Sequence, residues 1–384
     1  MLNNDNILVL IQLVGGNDSL STVTPLDSYS QLAAHRENVL IPENKLLTVG
    51  SLGFHPAVAG IYDLYKQGQA AIVNNVGYPL PNRSHFRSMD IWNSGSPSNE
   101  QWSTGWLGRL LDLYHPTYPV SYPNAQFADP LAITVGNIVS DTCQGALHNF
   151  SHVVDSSATF AEIDKCRIGA VPNKAYGDLV GYLNDTISLA NSYTTQVQKA
   201  FEAGHSLAQY PHNNQLAQEL KITAKLISGG LQTKIYVLSL GGFDTHAYQV
   251  GKTSPLDGMH NYLLQALSEA LSAFVKDLKK LHCFDKVSIM TYSEFGRQIC
   301  SNSAMGTDHG DATSLFVIGN KLKAQQIGKT PTISIEVDRQ KGLDMEIDFR
   351  DLYSSVLSQW FAVPAATMEP LFKKKAEIYA IFNA

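Results

Sequence analysis

Asp244 and His246 stand two residues apart in "GGFDTH", directly after the apolar run "KIYVLSL" (234–240). A carboxylate and an imidazole at the end of a buried strand have the donor atoms a divalent cation takes. Four other apolar runs carry similar neighbours. Asn17 and Asp18 in "GGNDSL" follow "ILVLIQLV" (7–14), and Arg83, Ser84 and His85 in "YPLPNRSHF" follow "AAIVNNVG" (70–77). Glu294 and Arg297 in "SEFGR" follow "KVSIMTY" (286–292), while Asp308, His309 and Asp311 in "GTDHGD" precede "SLFVIG" (314–319). Singly, each carboxylate reads as a helix cap or turn former. Together they put many negative charges on one rim, which repel and resist ionisation unless a cation offsets them. Oxygen and imidazole donors without thiolate suit Zn, Mn, Mg or Fe. Gly15–Gly16, Gly241–Gly242, Gly306 and Gly310 flank these residues, as close backbone approach to a site requires.

Such loops need a scaffold that ends its strands together. The runs above, with "LAITVG" (131–136), are continuous and β-branched, as in strands covered on both faces. Between them, 55–69 and 256–281 space their apolar residues three and four apart, the period of an amphipathic helix. The pattern predicts a doubly wound α/β fold, mostly parallel, with helices on both faces and ligands at the carboxyl ends of the strands. Residues 137–172 lack a clean period and 174–229 read as helical. The expected organisation is one α/β domain from 1–136 and 230–384, with 137–229 an inserted irregular and helical lobe.

Composition narrows the partners. The 384 residues are 44% hydrophobic with a formal net charge of -6. No basic block stands out, which argues against nucleic acid. No apolar run reaches the roughly 18 residues of a membrane span. The four cysteines, Cys143, Cys166, Cys283 and Cys300, show no C-x-x-C spacing, so they do not read as a zinc site. Cys143 and Cys166 share one irregular stretch and are available for a disulfide in an oxidising compartment; buried free thiols are the other reading. Tyr78, Phe86, Trp102 and Trp106 surround "PNRSHF" and read as packing residues ahead of a substrate wall.

"LVGGNDSLSTVTP", "FHPAVAGIYDLYKQGQAAIVNNVGYPLPNRSHFRSMDIWNSG", "GGFDTH", "MTYSEFGR" and "GTDHG" together resemble the DUF1501 family, an uncharacterised bacterial family in the alkaline phosphatase and sulfatase superfamily. The likeness runs from about residue 7 to 320. It implies an alkaline phosphatase-like sheet with one or two divalent ions, Zn, Mn or Mg, at its rim. Asp18 matches the metal-binding Asp after the first strand, and Ser84, opening a helix, matches the nucleophile. Asp244 and His246 fall where an Asp-x-x-x-His pair binds metal, at shorter spacing. The fifth strand of that superfamily ends in Asp-His, whereas this chain has Glu294 and Phe295. His309 matches the last ligand, with Asp308 beside it.

The resemblance thus implies a metal-dependent hydrolase of phosphate esters. Sulfate ranks behind, because "SHFRS" lacks the C/S-x-P-x-R context of formylglycine sulfatases. Metal ligands are expected among Asp18, Asp244, His246, Glu294, Asp308 and His309. Ser84 or a water would attack, His85 would protonate the leaving group, and Arg297 or Arg83 would clamp the small anionic ester, a surface salt bridge being the other reading for Arg83. The alternative is a non-catalytic binding or assembly protein that keeps the fold and one structural metal; Phe295 motivates it. A weaker alternative treats "GGND" as similar to the Asn block of SGNH esterases, with Asn17 an oxyanion donor. The family's twin-arginine leaders imply an exported protein, periplasmic or extracellular, once a signal is removed; otherwise the chain is cytoplasmic.

Overall fold

The computed structural model describes residues 4–137, 139–155, 157 and 177–383. Nine strands form the main sheet, here numbered in chain order: β1 (Ile7–Val14), β2 (Ala70–Gly77), β3 (Ala132–Val135), β4 (Ser151–Val154), β5 (Ile235–Gly241), β6 (Val287–Tyr292), β7 (Thr313–Ile318), β8 (Gln326–Ile327) and β9 (Ile347–Asp348). Across the sheet the order is β8-β2-β7-β6-β1-β5-β3-β4, with β9 also on β2. All pairings are parallel except those of β7, which runs antiparallel to both β2 and β6. That reversal brings the segment before β7 to the rim where β1, β2, β5 and β6 end. "GTDHGD" therefore meets the other polar loops although it precedes its strand.

Strand β1 shows why the runs are continuous. Successive side chains point to opposite faces of a sheet. Ile7, Val9, Ile11 and Leu13 enter one core, while Leu8 and Leu10 enter the other. Helices α1 (Ala59–Lys66), α5 (Gln215–Ser228) and α6 (Met259–Lys280) pack on the first face. Helices α2 (His85–Ser94), α3 (Trp106–Tyr114) and α7 (Phe349–Trp360) pack on the second. This is the expected doubly wound arrangement. A small antiparallel sheet, Val23–Pro25, Leu47–Val49 and Leu52–Phe54, lies beside it.

Residues 137–229 are partly built into this scaffold. Strand β4 extends the sheet parallel to β3. Leu216, Ala217, Leu220 and Leu226 of α5 share a core with Ile133 and Phe274. The irregular composition around 137–172 concealed that four-residue strand. The long helix Gly177–Ala203 precedes α5. Cys143 is buried and burial pushes its thiol up to about 12; Cys166, its suggested partner, lies outside the described residues. Among the described residues, no helix is long and apolar enough to cross a membrane.

Candidate metal centre

Four of the rim loops bring their polar side chains together. Asp244 Oδ1 lies 3.0 Å from His309 Nε2 and 3.1 Å from His246 Nε2. Its Oδ2 lies 3.3 Å from His85 Nε2, and the Nε2 atoms of His246 and His309 are 2.8 Å apart. The ligand atoms of His85, Asp244 and His309 all lie within 4.8 Å of one another.

The outer nitrogens decide what the inner ones can do. His85 Nδ1 lies 2.8 Å from Glu294 Oε1, and His246 Nδ1 lies 2.7 Å from Asp308 Oδ1. His309 Nδ1 lies 2.8 Å from the Arg83 carbonyl. All three partners are acceptors, so each neutral ring donates from Nδ1 and keeps its lone pair on Nε2. Three imidazole lone pairs thus face a carboxylate with no proton between them. Burial, assisted by the charge of Arg297, lowers the His309 pKa, which favours the neutral ring. His85 Nε2 is buried and has no hydrogen-bond partner. Acceptors facing acceptors repel unless a cation sits among them, and an outer-shell carboxylate or carbonyl on each histidine is the usual support of a metal-binding imidazole. The donor set fits a divalent ion.

Arg297 holds Asp244 from below. It is fully buried and donates to the carbonyls of Gly15, Gly16, Phe243 and Thr307, then to Asp244 Oδ1 at 2.8 Å. Desolvation would raise the Asp244 pKa, yet Arg297, His309 and His246 together bring it down to about 2. With its donors engaged by the chain, Arg297 orients a carboxylate; the anion clamp read from the sequence is not its position. Arg83 instead forms a bidentate ion pair with Asp311, at 2.9 and 2.7 Å.

Backbone packing makes the approach possible. Gly15 has φ +122, and a Cβ there would lie 2.2 Å from the Asp244 nitrogen. At Gly306 a Cβ would lie 2.2 Å from the His246 carbonyl oxygen. These glycines let the loops of β1, β5 and β7 lie backbone against backbone.

Asp18 stands apart from the cluster. It is buried, ion-paired with Arg36, and accepts from Gln249 Nε2 at 2.6 Å and Ser21 Oγ at 2.7 Å. Burial raises its pKa, but Arg36, His260 and those hydrogen bonds outweigh it and bring it to about 2. Neither Arg36 nor Gln249 carried a motif that could have announced this role. Glu294, expected as a ligand, is fully buried behind His85 and also accepts from the Gly15 N–H at 2.8 Å. Asp308 sits behind His246 and accepts from Asn302 at 3.2 Å; those two bonds overcome partial burial and lower its pKa. His85, expected as a proton donor, faces the cluster instead. Ser84 is exposed at the N-cap of α2, with its hydroxyl not engaged in capping. Asn17 is 3% exposed, and its Oδ1 pairs with His260 at 3.0 Å. A polar cavity of about 510 Å³, lined by His35, Asn38, Gln298, Asn302 and Arg339, opens beside Asp308.

A metal-competent rim on a mostly parallel α/β sheet is the class of site this chain builds. The family model described as "Protein of unknown function (DUF1501)" matches residues 5–373, and the chain belongs to that family. No curated protein matches it. Among solved structures, it is similar to a protein in the alkaline phosphatase superfamily from Vibrio parahaemolyticus (12% identity, TM-score 0.42), covering 92% of this chain and 66% of that one. It is also similar to the lipoteichoic acid synthase LtaP from Listeria monocytogenes (12% identity, TM-score 0.36; 88% of this chain, 68% of that one). A third is the periplasmic domain of EptC from Escherichia coli in complex with Zn (10%, 0.36; 83% and 74%). The chain thus spans just under two thirds of the first of these structures.

Proposed function

We propose that this protein is a metal-dependent hydrolase of phosphoric esters, with sulfate esters second. The observation that carries it is the convergence of three imidazole Nε2 atoms and the Asp244 carboxylate, each imidazole backed by an acceptor at Nδ1. His85, Asp244, His246 and His309 would hold the ion. When bound, a divalent cation neutralises charge developing on an ester oxygen and makes an oxygen nucleophile available at neutral pH. Arg297 fixes the Asp244 carboxylate through contacts that need no rearrangement. Ser84, next to His85 and exposed, offers a hydroxyl. The first-turn N–H groups of α2 offer donors to ester oxygens.

The arrangement supports one cation more directly than two, because Asp18 is committed to Arg36. That commitment also favours a second reading, a binding protein with a single structural metal. Metal analysis of the purified protein, with turnover of aryl and alkyl phosphates before and after chelation, separates them. Bound metal with chelator-sensitive turnover supports the hydrolase. Bound metal without turnover supports the binding protein, and absence of bound metal removes both. Loss of turnover in Ser84→Ala assigns the nucleophile to Ser84; retained turnover assigns it to water.

A further inference from the structure

Large apolar side chains stand exposed close in sequence to the cluster's histidines. Phe86 directly follows His85 and is 85% exposed, and Leu80, on the loop into α2, is 78% exposed. Tyr248, two residues past His246, is 63% exposed, and its carbonyl accepts from the N–H of Met259, itself 50% exposed. Of the aromatics that surround "PNRSHF" in the sequence, Tyr78 and Trp106 are buried in the core while Phe86 is not.

These positions are also strained. Leu80 has φ +56 and Tyr248 has φ +53, in the left-handed region that bulky L-residues rarely adopt. Met305, four residues before His309, has φ +56. Three loops that carry the cluster's histidines therefore each hold a large non-glycine residue in a sparsely populated backbone conformation. Packing does not account for Leu80 and Tyr248, which face solvent. The Leu80 loop is nonetheless held firmly. Tyr78 Oη bonds the nitrogen of Asn82 at 3.1 Å and the hydroxyl of Ser88 at 2.7 Å, and Ser98 bonds the Pro79 carbonyl at 2.8 Å.

Resting on the hydrolase reading, we infer that the substrate is a phosphoric ester of an apolar alcohol, whose hydrocarbon part lies against Phe86, Leu80 and Tyr248. Rigid loops that hold apolar groups out in water give up stability that contact with such a substrate restores. The charged ester end meets the cluster, and the hydrocarbon end meets the rim. A polyol ester would instead match the polar cavity beside Asp308.

The test compares hexyl phosphate with glycerol phosphate, both alkyl monoesters, using the metal-loaded full chain. The wild type is expected to favour hexyl phosphate in kcat/KM. The double substitution Phe86→Ser and Tyr248→Ser should lower that preference roughly tenfold, as loss of about 55 Å² of apolar contact implies. Metal content and melting temperature of the double variant check that both exposed changes leave the fold intact. A wild type with no preference, or one favouring glycerol phosphate, overturns the inference while the hydrolase reading stands. So does a preference unmoved by the double substitution. Turnover of neither ester, nor of an aryl phosphate, refutes the hydrolase reading itself, and the inference falls with it.

Discussion

Replacing Glu294 by Gln tests the lone-pair argument at its best-buried point. Glu294 is fully buried, and its Oε1 receives both the Gly15 N–H and His85 Nδ1, each at 2.8 Å. The Gln side chain keeps the size and one acceptor oxygen but removes the charge that makes His85 Nε2 electron-rich. Outer-shell changes of this kind weaken metal binding by about 10- to 100-fold, or about 1.4 to 2.8 kcal/mol. Glu294→Ala would be a poorer test. It strands two buried donors at about 1–3 kcal/mol each, so folding fails along with affinity. Zinc or manganese titration against a competing chromophoric chelator gives the dissociation constant directly. Asp308→Asn is the matched control: its side chain is 46% exposed, so water replaces part of the lost interaction and the effect is smaller. An unchanged constant in Glu294→Gln would refute the placing of His85 among the ligands.

Asp18→Asn removes one partner of a buried ion pair and should destabilise the fold by about 3–5 kcal/mol in urea melts. The fraction that folds should retain its metal, and metal loss in folded protein would return Asp18 to the ligand set. Gly15→Ala should prevent folding, read as loss of the native circular dichroism signal, because its Cβ meets the Asp244 nitrogen at 2.2 Å. Stability should also fall with acid. Burial lowers the His260 pKa to about 4 from its ordinary 6.5, so the unfolded chain takes up the proton first. This stabilisation is complete above pH 6.5 and is lost as pH falls toward about 4, by about 3 kcal/mol in total. Urea midpoints from pH 7 to 4 measure it, and His55, lowered by burial to about 3, adds in the same direction.

The strands were legible because burial on both faces writes an uninterrupted apolar run, as Leu8 through Ile11 shows. The direction of β7 was not legible, since "SLFVIG" reads the same either way. Strand β4 was missed because "SHVV" is short and only partly buried. At the site, residue type announced Asp244, His246 and His309. It could not separate Asp244, which faces the imidazole Nε2 atoms, from Glu294 and Asp308, which stand behind the rings, because all three carry the same donor atoms. Nor could it show that Asp18 faces Arg36, eighteen residues away at the C-cap of the short helix Tyr29–His35.

Phe295 is where the sequence and the geometry can be reconciled in one argument. A phenylalanine in place of an expected histidine reads as a missing ligand. In the folded chain its ring is 2% exposed and packs against both His85 and His309, at centroid distances of 4.9 and 4.6 Å. Gly16 makes room for it, since a Cβ there would lie 2.4 Å from the ring. His85 and His309 rings are themselves 4.3 Å apart. On the proposed metal reading, His85 at the start of α2 supplies an imidazole, and Phe295 packs against its ring. A histidine at 295 would have to make that contact with His85, whose outer nitrogen is already held by Glu294 from the preceding position. Phe295 and His85 are therefore one solution to the same requirement, and substituting Phe295→His should lower metal affinity by disturbing two rings where a lost-ligand view expects it to rise.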